Sequence, residues 1–216
     1  MGQDTLLMLL GSGVKKIIVV DANEDALCIC AENIIRNGLS SRAVFFRAFL
    51  GETDGAEIKF WTVWTGAAGS MYRSHAQSAS RLGRCFAVST LTIDSLCTEL
   101  DVWPDFAKVD VEGAEVAVLR GARRLVERRN TRFLVEVHSS AELPMERNVE
   151  DLLQWCRDFG MKAWYLKEHC ALEGTDLVKM RGRFHALVQP DDWSFPEWLR
   201  DIGQGDVPLA HHWGTV

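Results

Sequence analysis

The sequence predicts an α/β protein: a doubly wound, mostly parallel sheet with helices on both faces and an antiparallel strand at its C-terminal end. Three observations predict it. Apolar runs such as Ile17-Ile18-Val19-Val20 and Phe133-Leu134-Val135 have the length and continuity of strands buried on both faces. Stretches with helical spacing alternate with them, the order that winds a parallel sheet. Late in the chain, Lys162 to Leu166 and Arg183 to Gln189 flank a turn near Glu173-Gly174 and read as an antiparallel pair.

The elements follow in order. Gln3 to Leu10 reads as a helix ended by Gly11-Ser12-Gly13, and Val14 to Asp21 as a buried strand. Asn23 is a candidate N-cap, with Glu24 and Asp25 in the first turn of a helix that Asn37-Gly38 closes. Arg42 to Leu50 is a second strand. Glu52-Thr53-Asp54-Gly55 signals a hairpin turn into a strand over Glu57 to Trp64. Thr65 to Gly83, rich in Gly, Ala and Ser, reads as a long surface loop. Phe86 to Leu91 is a short strand, and a helix follows to about Leu100. Thr131 to His138 is another buried strand, and Glu146 to Phe159 an amphipathic helix. The tail from Pro190 carries Trp193, Phe195, Trp198 and Trp213, aromatics expected to lie against the domain.

The most informative stretch is Ala107 to Glu115. It reads as a buried strand that ends in Asp110 and Glu112, turns at Gly113 and enters a single helix from Ala114 to Arg129. Strand alternation puts Asp110 and Glu112 on one face. Glu115 in the first turn and the arginines behind it complement the helix dipole. Ligands of open α/β sheets bind beyond the carboxyl ends of the strands, where Asp110 and Glu112 would sit.

Composition narrows the function. A net charge of −6 argues against nucleic-acid binding, and the basic face of Arg120, Arg124 and Arg128 reads as a solvated helix surface. No apolar run approaches the roughly 20 residues of a membrane span. The six cysteines contain no C-x-x-C pair and no His/Cys cluster with ligand spacing. They are expected as free thiols in a reducing, cytoplasmic compartment, with no structural metal.

Several segments together resemble the FkbM-type S-adenosylmethionine-dependent methyltransferases. They are Lys108-Val109-Asp110-Val111-Glu112-Gly113-Ala114-Glu115 with Val118-Leu119-Arg120-Gly121-Ala122, the lead-in Ser89 to Leu96, Glu32 to Leu39, and Glu136-Val137-His138. The resemblance spans most of residues 1–190, in the family's order. It implies a Rossmann-like methyltransferase sheet, with residues 1–190 as the domain and 191–216 as a Trp-rich tail packed on it. It also implies S-adenosylmethionine as cofactor and, as methyl acceptor, a hydroxyl of a small molecule or sugar. Asp21 would bind the ribose hydroxyls, with Ala22 and Asn23 lining the same pocket; Asp21 could equally cap a helix. The family begins with a strand and a glycine-rich turn. This sequence starts after that strand, so the first strand is expected to be missing and Gly2 to be the last glycine of the turn.

Methyl transfer requires alignment of acceptor, methyl and sulfur, and removal of the acceptor's proton. Asp110, Glu112 and His138 are the candidate catalytic residues, His138 as base because imidazole titrates near neutral pH. Structural readings stand beside these roles. Asp110 could pair with Lys108, Glu112 could cap a helix, and His138 could be an ordinary strand end. Glu136 could orient His138 only if the chain bends there. His75 and Arg73 could meet substrate or be solvated. Two other functions remain open: a non-catalytic remnant that keeps the fold, and an NAD-type enzyme, since Asp21 suits any ribose.

Overall fold

The structure is a computed structural model that describes residues 2–11, 13–63 and 69–201. Helices and strands alternate as expected: α1 (Gln3–Leu10), β1 (Ile17–Asp21), α2 (Glu24–Arg36), β2 (Ala43–Arg47), β3 (Phe49–Leu50), β4 (Glu57–Trp61), α3 (Gln77–Arg81), β5 (Cys85–Leu91), α4 (Ile93–Leu100), β6 (Phe106–Val109), α5 (Glu115–Arg120), α6 (Arg123–Glu127), β7 (Arg132–His138), α7 (Met145–Asp158), β8 (Met161–Tyr165), β9 (Cys170–Ala171) and β10 (Arg183–Pro190). Among the described residues, no helix is long and apolar enough to cross a membrane.

The strands form three sheet segments, ordered β1-β2, β3-β5-β4 and β6-β7-β10-β8-β9. The pairs β1–β2, β3–β5 and β6–β7 are parallel. The C-terminal β10 lies antiparallel between β7 and β8. Among the described residues β1 pairs only with β2, and β6 only with β7. The main core joins β7, β8 and β10 to α5, α6 and α7 through Leu119, Leu125, Phe133, Val135, Val149 and Leu152. A second cluster packs α1 and α2 on β1 and β2 through Leu9, Cys30 and Ile34. A third, smaller one holds Ala22, Phe49, Phe60 and Ala114, where the three segments meet.

The expected helix from Ala114 to Arg129 is two helices. At Gly121 a Cβ would stand 2.1 Å from the Gly51 carbonyl oxygen, so only glycine allows this approach. The Gly121 carbonyl accepts the Asp94 N–H at 3.1 Å instead of continuing the helical ladder. The new N-terminus of α6 is capped from another helix: Asp94 accepts the N–H groups of Arg124 and Leu125.

Two expectations about pairing also change. Arg42 to Leu50 divides at Ala48, whose N–H goes to the Asp21 carbonyl while Phe49 and Leu50 pair with β5. Residues 52–55 do not join two neighbouring strands of a hairpin, because β5 lies between β3 and β4. Asp54 accepts the Thr92 N–H and the Ser95 hydroxyl, both at 2.7 Å. These bonds tie the turn to the start of α4 and hold the Asp54 carboxyl below the usual carboxylate range.

The glycine-, alanine- and serine-rich segment is more structured than a surface loop. Residues 64–68 lie outside the described residues. Beyond them, Ser70 is fully buried and bridges to Trp61. In the tail, Phe195 is buried against Trp164, and the Arg132 guanidinium lies 4.4 Å from the Trp193 ring centre. Trp198, expected to be covered, is 64% exposed. Trp213 lies outside the described residues.

Candidate active site

β1 delivers Asp21 to the edge of a cavity of about 220 Å³. Ala22, Asn23 and Ala26 line it on one side, and Asp110, Val111 and Glu112 on the other. Phe49, Leu50 and Phe60 give it apolar walls. Asn23, not Asp21, caps α2, accepting the N–H groups of Asp25 and Ala26. That frees Asp21 from the capping role. One of its oxygens accepts the Asn23 N–H at 2.8 Å, which aims the carboxylate. Burial raises the Asp21 pKa, and the Asn23 and Ala22 N–H groups oppose the rise without cancelling it. Gly2 does not line the cavity. A Cβ there would stand 2.6 Å from the Cys30 sulfur, so Gly2 is the contact between α1 and α2.

β6 ends at Val109, three residues short of the strand through Glu112 that alternation of Asp110 and Glu112 requires. The turn that follows still gathers both carboxylates. Glu112 has φ 51° and Gly113 φ 104°. A left-handed conformation costs a glutamate about 1–3 kcal/mol and persists only where its surroundings impose it. Here the buried Ser70 hydroxyl donates to the Glu112 carbonyl at 2.8 Å. The Tyr72 ring covers Gly113, where a Cβ would meet it at 2.9 Å.

His138, at the end of β7, stands between the carboxylates. Its Nε2 lies 3.9 Å from Asp110 Oδ1, 3.7 Å from Glu112 Oε2 and 3.7 Å from Glu136 Oε1. Its Nδ1 is 2.8 Å from Oε1 of Glu115. That oxygen also accepts the Gly113 N–H at 2.8 Å, so Nδ1 carries the proton of the pair. Glu115 is fully buried. Asn148, also buried, donates to the His138 carbonyl at 2.8 Å and holds the strand end from α7. Burial lowers the His138 pKa, but the bond and charge of Glu115, with Glu112 and Asp110, outweigh it and raise the net value above the ordinary 6.5.

Asp110 does pair with Lys108, at 2.7 Å, and Lys108 also reaches Asp4 of α1 at 3.0 Å. Burial raises the Asp110 pKa, but Lys108, joined by His138 and Glu136, outweighs the rise, so the net value falls. Glu136 does not orient His138. It is engaged by Arg183 at 2.9 Å and His185 at 3.3 Å, while Glu115 has the orienting role. His75 is part-buried rather than solvated, with its side chain 9% exposed: its Nδ1 is 3.1 Å from Glu112 Oε2, and its ring meets that of His138 edge-on. Arg73 points elsewhere, to Ser80 and over Trp61.

Glu115 and Asn148 are the residues that sequence reasoning does not place in the site; it leaves His75 open between a substrate contact and a solvated loop. Both sit on apolar helical stripes, Glu115 with Val118, Leu119 and Ala122, and Asn148 with Met145, Val149 and Leu152, all buried. A polar residue on such a stripe is the signal that marks them. The absence of any metal-ligand set was also a sequence expectation. Asp110, Glu112 and His138 nonetheless place one potential ligand atom each within 4.8 Å of one another.

Comparison with known proteins agrees with this architecture. A family model described as the methyltransferase FkbM domain matches residues 8–162. The fold is similar to the crystal structure of methyltransferase FkbM from Methylobacillus flagellatus KT, with a TM-score of 0.53 and 14% identity. The match covers 87% of this chain and 40% of that one, so this chain spans about two fifths of that protein's length. At this identity the likeness speaks for the fold alone. No match was found among curated proteins. The family match covers well over half of the sequence, and the chain therefore belongs to the FkbM methyltransferase-domain family.

Proposed function

We propose that the chain is an S-adenosylmethionine-dependent methyltransferase that methylates a hydroxyl of a small molecule or sugar. One observation carries the reading: a single cavity joins Asp21 to Asp110 and Glu112, and these two lead to His138. The cavity residues suit the nucleoside part of the cofactor. Asp21 offers a carboxylate that accepts two ribose hydroxyls, and Phe49 and Phe60 offer apolar surface to a base. Ala22 and Asn23 would complete the ribose side. At about 220 Å³ the space is below the roughly 300–1,000 Å³ of sites that enclose a whole ligand, so it suits part of the molecule.

When bound, the cofactor would supply an electrophilic sulfonium methyl. The residues of this chain would prepare the acceptor. Glu115 fixes the proton on Nδ1 and so leaves the lone pair of neutral His138 at Nε2, on the side of Asp110 and Glu112. An acceptor hydroxyl placed there would give its proton to Nε2, and Glu115 would stabilise the resulting imidazolium. His75 and Ser70 hold the Glu112 segment in position. The free thiols support a reducing, cytoplasmic compartment.

A second reading, a non-catalytic remnant of the fold, is favoured by one observation: the unpaired sides of β1 and β6 among the described residues. Calorimetric titration of the folded chain with S-adenosylhomocysteine separates the two. Stoichiometric binding supports the methyltransferase. No heat and no thermal stabilisation would sink it for this chain and support the remnant.

A further inference from the structure

We infer that Asp110, Glu112 and His138 form a binding site for a divalent transition-metal ion. The decisive atom is His138 Nε2. The His138 side chain is only 5% exposed, yet Nε2 has no hydrogen-bond partner among the described residues. Its nearest carboxylate oxygens stand at 3.7–3.9 Å. That is longer than the ~2.7–3.2 Å of a hydrogen bond. It matches two donors that share one ion, because metal bonds of about 2.0–2.3 Å at wide angles separate their donors by roughly 3.3–4 Å.

The surroundings fit the same ion. Glu115 accepts the hydrogen bond from Nδ1–H, so the neutral ring presents a lone pair at Nε2. A carboxylate behind a histidine is the arrangement that orients imidazole ligands on metals. Lys108 offsets Asp110 and Arg183 offsets Glu136, while His75 contacts Glu112. The charged atoms nearest Nε2 that the structure shows are carboxylate oxygens of Glu112, Glu136 and Asp110. One imidazole with two carboxylates suits Mn²⁺ or Zn²⁺ better than Mg²⁺ or Ca²⁺, which favour all-oxygen sets.

The site is argued from these side chains alone and does not require the methyl-transfer reading. Where that reading holds, the ion takes over from the imidazole, since a coordinated hydroxyl loses its proton far more readily than a free one.

The test uses the full chain, stripped with a chelator and titrated with Mn²⁺ alone, free Mn²⁺ being counted by its electron paramagnetic resonance signal. Displacement by Zn²⁺ is measured on the same sample. One ion per chain is expected, with affinity falling about tenfold or more in Asp110→Asn and in His138→Gln. Asp110 is a third exposed, so its variant keeps the test valid if the buried histidine variant does not fold. Folding of each variant is checked by its melting curve. The site is overturned if the folded chain takes up neither ion stoichiometrically, or if a folded Asp110→Asn chain binds as tightly as the parent. Titration with S-adenosylhomocysteine is a separate readout, so the cofactor reading and the metal site can fail independently.

Discussion

The Glu115 carboxylate and the His138 imidazole share one buried hydrogen bond, Oε1 to Nδ1 at 2.8 Å, between the start of α5 and the end of β7. No solvent can replace either partner, because Glu115 is fully buried and the His138 side chain nearly so. Removing the carboxylate strands the Nδ1 proton and the Gly113 N–H together. Glu115→Ala is therefore expected to cost about 3–5 kcal/mol in urea unfolding, the range for breaking a buried pair from one side. Glu115→Gln keeps an acceptor oxygen and should cost clearly less. Equal losses for the two variants would contradict the role of this bond.

The same bond sets a pH dependence. In the metal-free chain the His138 pKa is raised above 6.5, so its protonated form is favoured by folding. Its contribution to stability is complete below 6.5 and is lost as pH rises through the raised value. NMR titration should place the imidazole midpoint above 6.5 in the parent and lower it in Glu115→Gln. A midpoint at or below 6.5 in the parent would show that burial outweighs the carboxylates.

Asp21 and Asn23 divide two tasks that the sequence left joined. Asp21→Ala should weaken S-adenosylhomocysteine binding by about 1–3 kcal/mol while leaving α2 intact. Asn23→Ala should destabilise the fold by about 1 kcal/mol through loss of the cap. Calorimetry and thermal unfolding on both variants separate the effects. A destabilised Asp21→Ala chain with unchanged affinity would reverse the assignment.

Gly121→Ala should destabilise the protein by about 1–3 kcal/mol, the usual penalty of overpacking. The added carbon would sit 2.1 Å from the Gly51 carbonyl, and backbone on both sides has to move. Urea unfolding measures it. A neutral result would mean that residues 51 and 121 are not in contact in solution.

The thiols should divide by burial. Cys28 and Cys85 are exposed and are expected to react promptly with a thiol reagent. Cys97 and Cys156 are buried, and desolvation pushes them up to about 11 and about 12, so they should react only on unfolding. Mass spectrometry of the modified chain reads the pattern.

Much of this was legible because the chemistry is local. The Asn23 cap, the acidic end of β1 and the turn at Gly113 each follow from a few adjacent residues. The α5–α6 break was hidden because its cause, the Gly51 carbonyl, lies 70 positions away in sequence. Glu115 reads locally as a dipole-matching acid of a first turn, and only its place on the Val118–Leu119–Ala122 stripe reveals that it points inward. His75 was legible only as a loop residue that could meet either substrate or solvent. Its neighbours are small and polar, and its burial depends on Glu112, 37 residues later.

The support of Glu112 by Ser70 and His75 has a kinetic consequence. Ser70 bonds a residue 42 positions away, His75 one 37 away, and Glu115 one 23 away. Contacts of such sequence separation close large loops and are entropically slow to form. The helices and the Asn23 cap can assemble early, but the polar cluster waits until the segment around Ser70, the turn after β6 and the end of β7 have all docked. Refolding should therefore recover helical signal before it recovers the raised titration midpoint of His138, and partly folded chains will be compact but without the assembled polar cluster.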